Sequence, residues 1–118
     1  MKSDYVVYVL VAALVASVLY VFLKPSSFLP LDQAKELLKQ GALLVDVRTP
    51  GEYKSGHIDN AKNIPVSEVS KRLSEFGPKD KPVIVYCRSG ARSHRAMKEL
   101  QANGYTKVYN LGGIGRWK

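Results

Sequence analysis

The chain's only cysteine, Cys87, lies among residue types that suit covalent chemistry at sulfur. It directly follows four apolar residues, Val83–Tyr86, whose composition predicts a short strand buried on both faces. The small and basic residues 88–93 come next, and a helical pattern begins near His94. A strand, a short loop and a helix start would direct the loop amides and the helix N-terminus at one point, where they stabilise negative charge. This order predicts a nucleophilic thiolate beside an anion-binding loop.

The loop residues match what a thiolate needs. A free thiol has a pKa of about 8.5, and a helix N-terminus or nearby cations lower it to roughly 3.5–7.5. Glycine permits a positive φ, arginine attracts oxyanions, and serine supplies hydroxyl donors. Ser93 is also suited to cap the helix. The predicted substrate-binding residues are Arg88, Ser89, Gly90, Ala91, Arg92 and Ser93. A lone cysteine is more often a packing residue, but packing would not require this set of neighbours.

Three motifs, in order along the chain, resemble those of rhodanese-type sulfurtransferases. VIVYCRSGARS resembles the active-site loop of that family. VDVRTPGEYKSGHIDNAKNIP, residues 45–65, resembles its first strand with D-x-R, E-[FY]-x-x-G-H-I and A-x-N-I-P, and LGGIGRW, residues 111–117, resembles its C-terminal glycine-rich segment. The likeness runs from about Leu31 to the last residue. It implies an α/β rhodanese-like fold, a small parallel sheet flanked by helices.

The resemblance also implies a reaction. A Cys87 persulfide would carry sulfane sulfur from a small anionic donor such as thiosulfate to a thiol or protein acceptor, with no cofactor. An alternative is a membrane-tethered relay or binding module with little turnover on small molecules. Related cysteine phosphatases use C-x5-R, whereas here Arg92 comes one position early and Ser93 takes the arginine's place. A phosphatase is therefore the less favoured alternative.

The N-terminal segment predicts a membrane anchor. Tyr5–Leu23 is a run of nineteen residues without a charge. As a helix it would span roughly 28 Å, close to the ~30 Å hydrocarbon core of a bilayer. A signal peptide is the competing interpretation, but its apolar region is only about 7–15 residues long, and no A-x-A cleavage site precedes Lys24. We expect an uncleaved anchor at 1–24, a linker at 25–30 and the rhodanese-like domain at 31–118.

Charge narrows the remaining function classes. The chain has 18 basic and 10 acidic residues, a net charge of +8. The basic residues are scattered rather than clustered, which favours a solvated surface near an anion site over nucleic-acid binding. The two histidines, His57 and His94, lie far apart in the sequence, so no metal site is expected. Lys24, Lys35 and Lys39 beyond the anchor, against Lys2 before it, favour a cytoplasmic domain, with the periplasmic or extracellular side left open.

Elements that would position Cys87 follow from periodicity and turn residues. Helices are predicted at 31–40, 66–76 and 94–103, and strands at 42–47, near Ile64, at 83–86 and at 107–111. Alternating strands and helices predict a parallel sheet with its site at the carboxyl ends of the strands, where Cys87 falls.

Several further side chains have expected structural roles. Asp32 and Ser67 are expected to cap helices, and Asp46 to accept hydrogen bonds from loop amides. Arg48 is expected to pair with a carboxylate such as Glu52. The segment 52–65 reads as irregular, with His57 structural and Asn60 suited to a positive φ. Met97 is expected in the core, His94 on the surface, and Trp117 packed on the core.

Overall fold

A computed structural model describes residues 2–23 and 28–118 of the chain. The first element is a long helix, α1 (Lys2–Leu23). The side chains described along it, at positions 3–20, are exposed, and the helix is long and apolar enough to cross a membrane. A signal sequence would have the same properties. The predicted linker at 25–30 lies partly outside the described residues, and 28–30 is the part that can be placed.

The remainder of the described chain forms a four-stranded, entirely parallel sheet in the order β2-β1-β3-β4. The strands are β1 (Leu43–Asp46), β2 (Lys62–Asn63), β3 (Val83–Cys87) and β4 (Val108–Gly113). The helices are α2 (Leu31–Lys39), α3 (Pro50–Lys54) and α4 (Ala91–Ala102), with 3-10 turns at Val66–Lys71, Leu73–Phe76 and Ile114–Arg116. The predicted parallel sheet flanked by helices is confirmed.

The central strand β3 is the best buried element of the domain. All five of its residues are buried, and alternate side chains enter two separate apolar clusters. Val83, Val85 and Cys87 belong to the cluster that includes Phe76 and Leu100. Ile84 and Tyr86 belong to the cluster on the other face. The continuous apolar run is thus explained by burial on both faces, as predicted.

The pairing of β3 with β4 is irregular at the site end of the sheet. Val85 pairs with Asn110, but Tyr86 pairs with Gly112, so β4 contains one extra residue. Such a bulge bends the strand and changes where its side chains point. It lies beside Cys87, which pairs with Gly113.

Some local predictions were wrong. The segment 66–76 is two 3-10 turns rather than one helix, and Val66/Val69 and Leu73/Phe76 are each spaced three apart, as the 3-10 period requires. Strand β2 ends before Ile64. The N-cap positions of α2 and of the first 3-10 turn are prolines, so neither Asp32 nor Ser67 is the cap.

The segment 52–65, predicted as irregular, begins inside the short helix α3. Thr49 and Glu52 form a capping box at its start, with Pro50 in the first helical position. Asn60 does adopt a positive φ of 68°, as expected. The helix positions Glu52, which becomes important at the site.

Candidate active site

The loop that follows Cys87 is tighter than predicted. Helix α4 begins at Ala91 rather than near His94, so only residues 88–90 separate it from β3. Gly90 occupies the N-cap position with φ +102°, a conformation that glycine adopts without strain. Its N–H donates to Cys87 Sγ at 2.9 Å. The turn therefore folds back onto the sulfur.

Ser93 has a different role from the helix cap that the sequence predicted. It lies in the first turn of α4 and is fully buried. Its Oγ is 3.4 Å from Cys87 Sγ. Two acceptors also lie within hydrogen-bond distance of the hydroxyl, Gly90 O at 3.1 Å and Asn110 Oδ1 at 2.6 Å. The hydroxyl thus contacts the sulfur and these two acceptors rather than the backbone amides of the helix start, and its one proton serves one of the three at a time.

Cys87 combines deep burial with polar contacts at the sulfur. The residue is 0% exposed, and on one side it packs in the apolar cluster of Val85 and Leu100. Burial, the largest influence, raises the pKa of the Cys87 thiol. Hydrogen bonds from the Ser93 hydroxyl and the amides of Ser93, Gly90 and Ser89 outweigh it, and the pKa is lowered from its ordinary value. The surroundings therefore favour a thiolate.

Asn110 completes the site and was missed by the sequence analysis. It is buried on β4, where its Nδ2 donates to Gly90 O at 3.1 Å and its Oδ1 accepts from Gly112 N at 2.9 Å and from Ser93. One side chain therefore ties the loop, α4 and β4 together. The bulge at this point aims it at the loop, and the sequence carried no signal of it beyond an asparagine in a predicted strand.

The two loop arginines have different surroundings. Arg88 is exposed at the loop tip, and its carbonyl oxygen would lie 2.5 Å from a Cβ at Gly113, so glycine is required there. Arg92 instead donates to both carboxylate oxygens of Glu52, at 2.7 and 3.0 Å. This bond is the main cause that lowers the pKa of Glu52 to about 2. The first turn of α4 is thereby tied to α3.

Arg48 pairs with a carboxylate, as expected, but the partner is Asp46 rather than Glu52. Arg48 binds the buried Asp46, through Nη2 to Oδ2 at 2.7 Å, and its Nη2 also donates to Gly56 O at 2.7 Å. Asp46 Oδ1 accepts from the Arg48 backbone N–H at 2.9 Å, as expected for a residue that satisfies loop amides. The two carboxylates at this end of β1 therefore each have their own arginine.

The remaining predicted residues are placed as follows. Ser89, Ala91 and His94 are exposed, and with Arg95 and Phe28 they line a cavity of about 550 Å³ beside the loop. His57 stacks on Tyr53 with ring centroids 3.7 Å apart, and its Nδ1 is 2.8 Å from Tyr53 O, a structural setting. Met97 and Trp117 pack against the two apolar clusters, as expected.

Comparison with known proteins agrees with this geometry. The rhodanese-like domain family matches residues 30–118. An uncharacterised protein from Bacillus subtilis, YqhL, is 48% identical over 64% of this chain, and the match spans only 60% of its own length. Thiosulfate sulfurtransferase PspE from Escherichia coli is 42% identical over 59% of this chain and 68% of its own.

A solved structure shows the same fold. The rhodanese with anions from E. coli superposes with a TM-score of 0.62 at 38% identity, covering 64% of this chain and 91% of the other. Relatives named sulfurtransferase or thiosulfate sulfurtransferase support sulfurtransferase activity in general. Because the family model matches residues 30–118, most of its length, the chain belongs to the rhodanese-like family.

Proposed function

We propose that the domain is a sulfurtransferase that moves sulfane sulfur from an anionic donor such as thiosulfate to a thiophilic acceptor through a Cys87 persulfide. The observation that carries the proposal is the Gly90 N–H directed at Cys87 Sγ at 2.9 Å, in a loop that lowers the thiol pKa. A lowered pKa makes the thiol easier to ionise, and once ionised the sulfur attacks without a separate general base.

The reaction balances in two displacement steps. The Cys87 thiolate attacks the outer sulfur of thiosulfate, an S–S bond forms, and the donor's own S–S bond breaks with its electron pair leaving on sulfite. An acceptor thiolate or other sulfur nucleophile then attacks the terminal sulfur of the persulfide, and Cys87 leaves as thiolate. Neither step needs an external oxidant or reductant.

The loop residues divide this work. The loop amides and Ser93 hold the charge on sulfur, and the exposed Arg88 guanidinium binds the donor's anionic oxygens. Arg92 contributes mainly by fixing the start of α4, because its guanidinium is engaged by Glu52. Ser89 and Ala91 line the approach. The E. coli rhodanese described with anions supports an anionic donor.

The N-terminal helix bears on where in the cell the domain lies. We propose that residues 1–24 are an uncleaved anchor, that 25–30 link it to the domain at 31–118, and that the domain faces the cytoplasm. The length and apolar composition of α1 support the anchor, and Lys24, Lys35 and Lys39 support the orientation. Membrane fractionation with an alkaline wash tests the anchor. An uncleaved anchor keeps the full-length chain in the membrane pellet, whereas cleavage of a signal sequence would leave a shorter chain that the wash releases.

The test of the reaction uses the full chain in detergent micelles with thiosulfate. We expect sulfite release and, by mass spectrometry, one added sulfur atom on Cys87. Cys87→Ser should show neither. Sulfite release that persists in Cys87→Ser would contradict the persulfide mechanism.

Turnover separates enzyme from relay module. With a small thiol acceptor, repeated sulfite release is expected from an enzyme. If each chain takes up one sulfur atom and passes it only to cellular proteins, the relay alternative is favoured. Hydrolysis of an aryl phosphate would favour a phosphatase.

A further inference from the structure

Phe28, the first residue that the structure describes after α1, packs on the loop that holds Cys87. A Cβ on Gly90 would lie 2.7 Å from the Phe28 ring carbons Cε1 and Cζ, and one on Gly112 would lie 3.0 Å from Cγ. Both glycines have a positive φ, and neither could bear a side chain beneath the ring. The ring therefore occupies space that two glycines leave open.

The segment that carries Phe28 is fixed by contacts with the C-terminal part of the domain. Leu29 N–H donates to Asn110 O at 2.8 Å. The Arg116 guanidinium carbon is 5.0 Å from the Phe28 ring centroid, within the range of a cation–π contact, and Arg116 also donates to the carbonyls of Leu29 and Leu111. These contacts hold the ring in place against the turn.

Gly90 is thereby held by several partners. Its carbonyl accepts from Asn110 Nδ2 and lies within reach of the Ser93 hydroxyl, its N–H points at Cys87 Sγ, and the Phe28 ring covers the side where a Cβ would be. Phe28 also lines the cavity beside the loop, so without the ring this part of the turn would open to water. Water would then compete with the sulfur for the Gly90 amide.

We propose that Phe28 is a positioning residue for Cys87: its ring holds the Gly90 turn so that the amide stays directed at the sulfur. The consequence for catalysis rests on the proposed function, but the geometry itself does not. Phe28 contacts the glycines, whereas Cys87 packs in the apolar cluster of Val85 and Leu100. Loss of the Phe28 ring therefore weakens the hydrogen bond from the Gly90 N–H more than it exposes the sulfur to water. The Cys87 thiolate becomes less stable as a result.

The test measures the rate of Cys87 alkylation by iodoacetamide against pH, on the full chain in micelles. In Phe28→Ala the midpoint is expected to rise by about half a pH unit, which is roughly threefold slower alkylation at pH values below the midpoint. Phe28→Leu keeps an apolar cover and should shift less. If Phe28→Ala does not fold, the midpoint measured for Phe28→Leu tests the proposal in its place. Amide exchange at Gly90 should become faster in Phe28→Ala.

Trp117→Ala is the matched control, because Trp117 also packs on the domain from the C-terminal segment. It should lower the unfolding temperature without moving the alkylation midpoint. An unchanged or lowered midpoint in both Phe28 variants, or an equal shift in Trp117→Ala, would overturn the proposal. Alkylation needs no sulfur donor, so a wild-type chain that forms no persulfide would refute the proposed function and leave this measurement intact.

Discussion

Two neighbouring strands of the sheet end in different ways. After β1, Asp46 and Arg48 form a buried ion pair, 0% and 8% exposed at the side chains, and the chain passes into the capped helix α3. After β3, the sulfur of Cys87 is surrounded by hydrogen-bond donors from Gly90 and Ser93. At the end of β1, the negative charge of Asp46 is always paired with a guanidinium. At the end of β3, hydrogen-bond donors face a sulfur that is charged only when its thiol is ionised.

The difference indicates that the Asp46–Arg48 pair has a structural role and that the surroundings of Cys87 have a chemical one. The Asp46 carboxylate accepts hydrogen bonds from Arg48 at both of its oxygens, so it is not free to react. A sulfur held by amides keeps its nucleophilicity, because no counterion is bonded to it. Arg92 follows the same division, since it pairs with Glu52 rather than with the thiol. The comparison predicts large stability effects at the β1 end and smaller, pH-dependent reactivity effects at the β3 end.

The largest effect is expected at Asp46. Asp46→Ala leaves the Arg48 guanidinium buried without its carboxylate, which costs about 3–5 kcal/mol of unfolding free energy. Urea unfolding of the full chain in micelles, followed by circular dichroism, measures it. Asp46→Leu combined with Arg48→Met should cost far less, because it leaves no unpaired charge. A loss below about 1 kcal/mol in Asp46→Ala would break the distinction between the two strand ends.

Asn110 should affect stability and reactivity together. Asn110→Ala removes its bonds to Gly90, Ser93 and Gly112 and should cost about 1–3 kcal/mol. Asn110→Asp keeps the acceptor, loses the donor to Gly90 O and adds a negative charge near the sulfur. It should therefore raise the midpoint of Cys87 alkylation against pH more than the alanine variant does. Equal midpoints in wild type and Asn110→Asp would show that the residue is only structural.

How much the sequence could predict depends on the range of the contacts involved. The β3 strand, the positive φ of Gly90 and the parallel sheet follow from local residue types, and all were predicted. The Arg92–Glu52 pair joins residues forty positions apart, and nothing local distinguishes Glu52 from Asp46 as the partner of an arginine. The role of Asn110 depends on a bulge that forms only when β4 pairs with β3. The Thr49/Glu52 capping box was a local signal and could have been found.

Ser93→Ala tests the donor set at the sulfur with a smaller change. The hydroxyl is the leading cause that lowers the pKa of Cys87, but the Gly90 amide remains in the variant. The alkylation midpoint should therefore rise, and the rate at neutral pH should fall, without loss of the fold. Ala91→Ser is a suitable control, because it places a hydroxyl at an exposed position in the first turn of α4. A lower midpoint in Ser93→Ala would mean that the hydroxyl does not stabilise the thiolate and that its proton goes to Asn110 instead.

The smallest effect is expected from the Glu52–Arg92 pair. The pKa of Glu52 is lowered to about 2, chiefly by the Arg92 hydrogen bond, so its ionised form is favoured in the folded state. That stability is present above the unfolded pKa of about 4.3 and is lost as the pH falls towards about 2. Because both side chains are about 30% exposed, solvent screening keeps the contribution below about 1 kcal/mol.

Glu52→Gln should therefore lose little stability at neutral pH, and its unfolding free energy should fall less steeply than that of wild type between pH 5 and pH 2. Thermal unfolding across this range measures the difference. Glu36→Gln is the matched control, since Glu36 is an exposed carboxylate on α2. If Glu52→Gln instead reduced stability at neutral pH as much as Asp46→Ala, the pair would be as much a scaffold element as the one at β1. The exposed brace and the buried ion pair would then no longer differ in kind.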